Sequence, residues 1–163
     1  MVSWATFMTE APELAAIGTE LFARSGLALV GTSRKDGSPR ISPCEPFFID
    51  GDMYLGMMWQ SRKALDLVRD PRCVVHSTVS DKAGTEGEVK AYGVARAVPE
   101  PERRERYCDV LEADAGWRPS EPFHIFTLDI TAVGYCRFTG EVQVIRRWQP
   151  GGPEAPVEEK KQS

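Results

Sequence analysis

Residues 32–77 read TSRKDGSPRISPCEPFFIDGDMYLGMMWQSRKALDLVRDPRCVVHS, and the fold is most clearly predicted from this run. It contains two Asp-Gly pairs, Asp36-Gly37 and Asp50-Gly51, which are typical of tight turns that need positive φ angles. Between and after them lie a predicted strand over 40–49 and an apolar strand over 53–58. The two prolines in the first strand suggest an edge or a bulge. The run therefore predicts neighbouring antiparallel strands joined by short turns.

The rest of the chain predicts more strands of the same kind, separated by three helices. Predicted strands cover 27–32, 72–80, 88–98 with Gly93 at a bend or bulge, 123–138 and 142–148, and predicted helices cover 10–24, 61–70 and 100–114. Short connections favour an antiparallel sheet, and closing such a sheet removes its exposed edges. We expect a mainly β (α+β) antiparallel split β-barrel of about six or seven strands over residues 1–148. Residues 149–163 hold no aromatic side chain and predict a disordered tail.

Composition restricts the function classes. The chain has 163 residues with 20 basic and 24 acidic side chains, a net charge of −4. This balance argues against a general nucleic-acid binder, which needs a positive surface. The apolar runs are shorter than the ~20 residues a membrane-spanning helix requires, and the N-terminal segment does not resemble a secretory signal. The four cysteines are widely spaced, which predicts free thiols in a cytoplasmic protein and no structural zinc.

The corner formed by Ser61, Arg62 and Lys63 is the most informative motif. Ser61 is a favourable helix N-cap, and two cations follow in the first turn, where the helix dipole disfavours each by about 0.3–1 kcal/mol. A bound phosphate would reverse that penalty through backbone N–H groups, the hydroxyl and both cations. Exposed helices also carry such cations without any ligand. We expect Arg40 to approach the same corner, because its predicted strand would pair with the strand over 53–58.

This ordered set of turns, strands and the Ser-Arg-Lys corner resembles the cofactor-binding half of pyridoxamine 5′-phosphate oxidase-like, flavin-binding split-barrel proteins. The strand EVKAYGVARAV at 88–98 resembles the strand that follows in that family. The resemblance implies that Arg62 and Lys63 bind the cofactor phosphate beside Ser61. It places further cofactor contacts at Arg40, Ile41, Ser42, Leu55, Gly56 and Glu88. Glu88 stands where a glutamine is frequent, and a carboxylate donates no hydrogen bond unless it is protonated.

The resemblance implies an oxidoreductase that binds FMN and acts on a small organic substrate, in a homodimer with one cofactor in each of two clefts at the interface. The deazaflavin coenzyme F-420 is the alternative cofactor, and a non-catalytic flavin- or haem-binding sensor or stress protein is the alternative function. The family's C-terminal substrate signature is absent, since Trp148 is followed by Gln-Pro-Gly-Gly. His76 and His124 lie in predicted strands and favour structural roles, with His124 also a conceivable proton donor or haem ligand. No catalytic residue is assigned.

Overall fold

Antiparallel pairing organises most of the chain into a single sheet. A computed structural model describes residues 1–161. The helices are α1 (Trp4–Glu10), α2 (Pro12–Ser25), α3 (Arg62–Arg69) and α4 (Pro101–Ala115). The strands are β1 (Ala28–Ser33), β2 (Pro39–Cys44), β3 (Pro46–Ile49), β4 (Asp52–Met58), β5 (Arg72–Ser77), β6 (Glu88–Ala97), β7 (Phe123–Thr139), β8 (Val142–Trp148) and β9 (Glu158–Lys161).

The sheet curls into a split barrel because its two ends are joined by the chain itself. Its order is β2-β1-β5-β6-β7-β4-β3, and every described pairing is antiparallel. Glu45 alone separates Cys44, the last residue of β2, from Pro46, the first residue of β3. A one-residue link between opposite ends of the order requires the sheet to bend until those ends meet. The predicted mainly antiparallel split-barrel architecture is confirmed.

The strand predicted over 40–49 is wrong in one respect, because two strands occupy this stretch. β2 pairs with β1, whereas β3 pairs with β4 across the confirmed Asp50-Gly51 turn. Pro43 and Pro46 lack the N–H that a ladder requires, so one continuous strand would lose two donors. The break at Glu45 lets the chain leave one end of the sheet and enter the other.

The N-terminal segment contributes a helix that the periodicity did not predict. The helix expected over 10–24 is α2, and α1 precedes it with Trp4 and Phe7 buried in the main core. A seven-residue helix shows too few turns for a helical repeat to be recognised. Its indole and phenyl rings nevertheless pack closely, with the Trp4 ring centroid 4.7 Å from that of Phe48. Burying a large apolar side chain contributes about 1.5–3 kcal/mol, which holds this short helix on the barrel.

A second core cluster places α4 against the other face of the sheet. Tyr107 and Leu111 of α4 pack with Tyr54, Phe123 and Ile125 from β4 and β7. This packing determines which side chains of α4 face the cleft described below. In the described part of the chain, no helix is both long and apolar enough to cross a bilayer.

The tail was expected to be disordered, but through residue 161 it is attached to the barrel. Its last described residues form β9, which pairs with β8 and raises the described strands to nine. The Trp148 indole N–H donates to the Gly152 carbonyl at 3.0 Å, and Arg146 pairs with Glu154 at 2.5 Å. The composition of the tail does not predict its attachment to β8, because backbone pairing to a free strand edge requires no apolar side chain. Residues 162–163 of the expected tail lie outside the described residues.

Candidate functional site

The start of α3 carries hydrogen-bonding groups that the chain leaves unused. Ser61 is the N-cap, as predicted, and the first intrahelical bond runs from the Leu65 N–H to its carbonyl at 3.0 Å. The N–H groups of the three intervening residues therefore have no acceptor within the helix. The Ser61 hydroxyl does not make the predicted capping bond, and its Oγ is the one buried side-chain N or O atom in residues 1–161 without a partner. An uncapped helix end with a buried, unpaired hydroxyl is suited to an external acceptor.

A basic cleft of about 600 Å³ lies on one side of this corner. We call it the basic cleft, and its lining residues are Arg34, Lys35, Asp36, Arg40, Arg62, Leu65, Asp66 and Arg69. The side chain of Arg62 is exposed and forms no ion pair with any described residue. Five cations against two carboxylates give the cleft a positive potential suited to an anion.

Asp66 organises the inner wall of the basic cleft. It is only 3% exposed and accepts from Arg40 Nε at 2.6 Å, Thr32 Oγ1 at 2.9 Å and Arg69 Nη2 at 3.1 Å. Burial by itself would raise the pKa of Asp66, but hydrogen bonds from Arg40, Thr32 and Arg69 hold it below its usual value. Asp66 is therefore a carboxylate at neutral pH, and it fixes the guanidinium of Arg40 in the cleft.

Arg40 reaches the corner by a different route from the one predicted. Its strand pairs with β1, where it lies opposite Thr32, and does not pair with β4. Because β1 packs beside α3, the ion pair with Asp66 brings Arg40 into the same cleft as Arg62. The structure thus brings these two predicted residues together.

An aromatic cleft of about 640 Å³ lies on the other side of the corner. It holds the predicted residues Gly56, Ser61 and Lys63, and the Lys63 ammonium donates to the Pro43 carbonyl. Its aromatic lining comprises Trp59, Tyr107, Trp117 and Phe123. Lys63 therefore faces the aromatic cleft while Arg62 faces the basic cleft, so the corner divides the predicted phosphate-binding pair between two adjoining surfaces.

Tyr107 of α4 lines this cleft, although the sequence pattern singled it out for no role. A Cβ built on Gly56 would lie 2.0 Å from the Tyr107 hydroxyl oxygen, so the ring rests directly on the β4 backbone. That hydroxyl forms no hydrogen bond with residues 1–161, although the side chain is only 4% exposed. Burial, with a smaller contribution from Glu45, raises the pKa of Tyr107 to about 12. A glycine within an apolar strand, such as Gly56, is consistent with the close approach of another group, but the sequence does not identify that group as Tyr107.

The remaining predicted positions differ in what they offer a ligand. β2 pairs only with β1, so Ile41 and Ser42 lie on a strand with a free edge, and the Ile41 side chain is 72% exposed. Leu55 is fully buried and has no exposed side chain to offer. Gly56 lies one residue beyond the end of the β3–β4 ladder, so one edge of its backbone faces the aromatic cleft.

Glu88 is not brought to the corner within one chain. It lies on β6 in a separate cleft formed with β7 and β8, and it pairs with Lys90. His76 Nε2 is 3.7 Å from the same carboxylate. The described residues contain no group of three or more side chains arranged to hold a metal ion.

His124 supports the turn that precedes the corner. Its ring stacks on Trp59 at a centroid distance of 4.6 Å, and its Nε2 accepts from the Gln60 N–H at 3.4 Å. Burial, together with the nearby charge of Arg104, lowers the pKa of His124. A neutral ring can accept this bond, and the geometry gives His124 a positioning role toward Trp59.

The fold and these clefts define a split-barrel protein with an uncapped, cationic helix corner beside an aromatic surface. A profile of the family described as pyridoxamine 5′-phosphate oxidase matches residues 18–137, and the chain belongs to that family. No curated protein matches the chain.

Solved structures of the same fold include proteins of several kinds. A conserved hypothetical protein from Mycobacterium tuberculosis is 25% identical, with 70% of this chain and 78% of that chain covered at a TM-score of 0.59. PhzG from Burkholderia lata 383, in complex with tetrahydrophenazine-1-carboxylic acid, is 12% identical, with 94% and 93% covered at 0.63. A haem-binding protein from Mycobacterium smegmatis is 16% identical, with 90% of this chain but 57% of that chain covered at 0.58. The last two share the fold alone.

Proposed function

We propose that this protein binds FMN, with the phosphate at the start of α3 and the isoalloxazine ring in the aromatic cleft, and transfers electrons to or from a small organic substrate. The observation that carries the proposal is the Ser61 hydroxyl, which is buried and unpaired in the lining of the aromatic cleft, next in sequence to Arg62 of the basic cleft. A buried unpaired hydroxyl costs about 1–3 kcal/mol. A phosphate oxygen at this position would remove that cost.

The groups at the corner match a phosphate in number and in charge. Three backbone N–H groups, the Ser61 hydroxyl and the unpaired Arg62 guanidinium are available to its oxygens. Charge-assisted bonds of this kind are about twice as strong as neutral ones. Arg40 is already bound to Asp66, so it contributes mainly potential.

The aromatic cleft matches a planar ring. Trp59, Tyr107 and Trp117 supply aromatic surface, and the free edge of Gly56 supplies backbone groups that can approach closely because no Cβ is present. Its volume lies within the range of about 300–1,000 Å³ that is usual for ligand sites. When bound, FMN would supply the two-electron chemistry, and the protein would hold the ring and exclude water.

The basic cleft favours coenzyme F-420 as the second candidate cofactor. Arg34 and Lys35 lie at the tip of the β1–β2 hairpin, form no ion pair with described residues, and extend the positive surface beyond the corner. One phosphate monoester does not require these two additional cations. A deazaflavin whose side chain continues into further anionic groups would use them.

We also propose that two copies of the chain associate around the clefts. Large apolar side chains stand exposed beside the corner, with Met58 81% and Trp59 52% exposed. These two side chains are neighbours in sequence, and exposed apolar side chains that lie together are a feature of interaction surfaces. The four cysteines are free thiols, which supports a reducing cytoplasmic setting.

The direct test is titration of purified, cofactor-free protein with FMN, coenzyme F-420 and haem, each followed by its own absorption spectrum. FMN is expected to saturate at one per chain, and NAD(P)H or another reductant should then bleach the bound flavin reversibly. Saturable haem binding with a Soret band, and none of FMN, would favour the sensor function and refute the flavin proposal. Stronger binding of F-420 than of FMN would select the second cofactor.

A further inference from the structure

Apart from Ser61, Tyr107 is the most deeply buried of the hydrogen-bonding side chains of the aromatic cleft that have no partner in the described chain. Tyr107 contributes its hydroxyl to the cleft, above the β4 backbone at Gly56. The side chain is buried to more than nine-tenths, and its hydroxyl bonds to nothing in residues 1–161. The hydroxyl oxygen itself is open to the cleft, since Ser61 Oγ is the one fully buried side-chain N or O atom without a partner in residues 1–161. A hydroxyl carried into a cleft by an otherwise buried ring is positioned to donate to a molecule that occupies the cleft.

The charges of the cleft restrict what that partner can be. Glu45 and Lys63 are the charged side chains that line it, and they have opposite signs. Lys63 is moreover bound to the Pro43 carbonyl. The cleft thus offers no excess of cations for a phosphorylated or polyanionic substrate, in contrast to the basic cleft on the other side of the corner. Burying an unpaired charge here would be costly.

One of the two tryptophans of the cleft, Trp59, is held by a contact outside it, since its ring stacks on His124. Next to the other, Trp117, the Arg118 guanidinium is 2.8 Å from Asp109 Oδ1 and 3.1 Å from Glu112 Oε2, so the backbone of this segment is tied to α4. An aromatic side chain that is already restrained, as Trp59 is, loses little conformational entropy when a flat ligand packs against it.

We propose that the aromatic cleft takes, beside the isoalloxazine ring, an uncharged, planar organic substrate with one hydrogen-bond-accepting oxygen, such as a ketone or quinone carbonyl, and that the Tyr107 hydroxyl donates to this substrate rather than to the ring. The inference rests on the proposed function, because this molecule is the substrate that the cofactor would serve. Burial raises the pKa of Tyr107 to about 12, so the hydroxyl keeps its proton at neutral pH and remains a donor.

The test uses two flat ligands that differ only in the acceptor, 9-fluorenone and fluorene, in equilibrium dialysis against protein saturated with FMN, so that neither ligand can occupy the position of the isoalloxazine ring; cofactor-free protein is used only if FMN does not bind. The wild-type protein is expected to bind 9-fluorenone more tightly than fluorene. Tyr107→Phe should weaken 9-fluorenone binding about 3- to 10-fold, the equivalent of one neutral hydrogen bond, and leave fluorene binding unchanged. Tyr92→Phe removes an exposed hydroxyl outside the aromatic cleft and should alter neither affinity.

Three results would overturn the inference. The first is equal affinity of the wild-type protein for both ligands, a result that requires no variant to fold. The second is a parallel loss of both affinities in Tyr107→Phe, which would make the residue a packing element only. The third is tighter binding of 9-fluorenone-2-carboxylate than of 9-fluorenone, which would contradict an uncharged substrate. A preference for 9-fluorenone in a protein that fails to bind FMN would support this cleft assignment while refuting the proposed cofactor.

Discussion

Removing the Ser61 hydroxyl is expected to stabilise the cofactor-free protein and to weaken FMN binding. An N-cap serine that makes its capping bond contributes about 0.5–2 kcal/mol, but the Ser61 side chain makes none. Its Oγ is instead buried without a partner, a state that costs about 1–3 kcal/mol. Ser61→Ala should therefore raise the free energy of unfolding by about 1 kcal/mol. Loss of a hydrogen bond to a charged phosphate costs about 1.5–3 kcal/mol, so the dissociation constant of FMN should rise about 10- to 150-fold.

A matched control exists in the same chain. Ser3 caps α1, where its hydroxyl accepts from the Thr6 N–H at 3.1 Å. Ser3→Ala should lower the free energy of unfolding by about 0.5–2 kcal/mol and leave FMN affinity unchanged. Urea unfolding of the cofactor-free proteins, followed by tryptophan fluorescence, measures stability. Quenching of FMN fluorescence on titration measures affinity.

The two substitutions are expected to change the free energy of unfolding in opposite directions, and this difference is the test. If Ser61→Ala destabilises the protein as much as Ser3→Ala, the hydroxyl serves as an ordinary cap, and the interpretation of the corner is refuted. Unchanged FMN affinity in Ser61→Ala would show that the phosphate lies elsewhere.

Three further substitutions test the surroundings of the corner. Arg62→Ala should weaken FMN binding at least 10-fold, since its unpaired guanidinium lies in the first turn of α3, where the phosphate is proposed to bind. Asp66→Ala should cost about 3 kcal/mol at pH 7, because it leaves Arg40 in the cleft wall without its partner. The pKa of Asp66 is lower in the folded protein than in the unfolded chain, so its carboxylate stabilises the fold above the unfolded pKa of about 3.9. This stabilisation is lost as the pH falls through the folded-state pKa. The urea midpoint should therefore drop less between pH 7 and pH 3 in Asp66→Ala than in the wild-type protein. Gly56→Ala should destabilise by about 1–3 kcal/mol and displace Tyr107, as tyrosine fluorescence and urea unfolding would report.

Each of these three substitutions has a control variant or a result that would contradict its interpretation. Lys82→Ala removes an exposed cation outside the basic cleft and should leave FMN affinity unchanged. Gly134→Ala adds a methyl group that meets nothing within 4 Å and should change stability little. An Asp66→Ala protein with wild-type acid sensitivity would contradict the assigned ion pairs. An unaltered Tyr107 environment in Gly56→Ala would contradict the close approach.

Local pattern predicted the elements that build the corner. The two Asp-Gly turns, the apolar strand β4 and the N-cap at Ser61 follow from residue types at short range, and the structure confirms them. The β6 irregularity expected at Gly93 is also present, as a register shift between Tyr92 and Gly93. Such features depend on φ preferences and capping chemistry that act within a few residues.

The contacts that place charged side chains at the corner join elements that are distant in sequence. Arg40 meets Asp66, 26 positions away, only because β1 lies between β2 and α3. The attachment of residues 149–161 likewise depends on the free edge of β8. Neither contact leaves a local pattern, since the partners share no turn or helical repeat.

Periodicity, turn residues and capping are local properties, and they were sufficient to predict a mainly antiparallel split barrel with a serine and two cations at the start of a helix. That Arg62 and Lys63 face different clefts follows from the packing of distant elements. The same packing leaves the Ser61 hydroxyl buried without a partner and turns the Tyr107 hydroxyl into the aromatic cleft. Whether a polar group is satisfied depends on every atom that packs around it, and that packing is set when distant strands and helices meet.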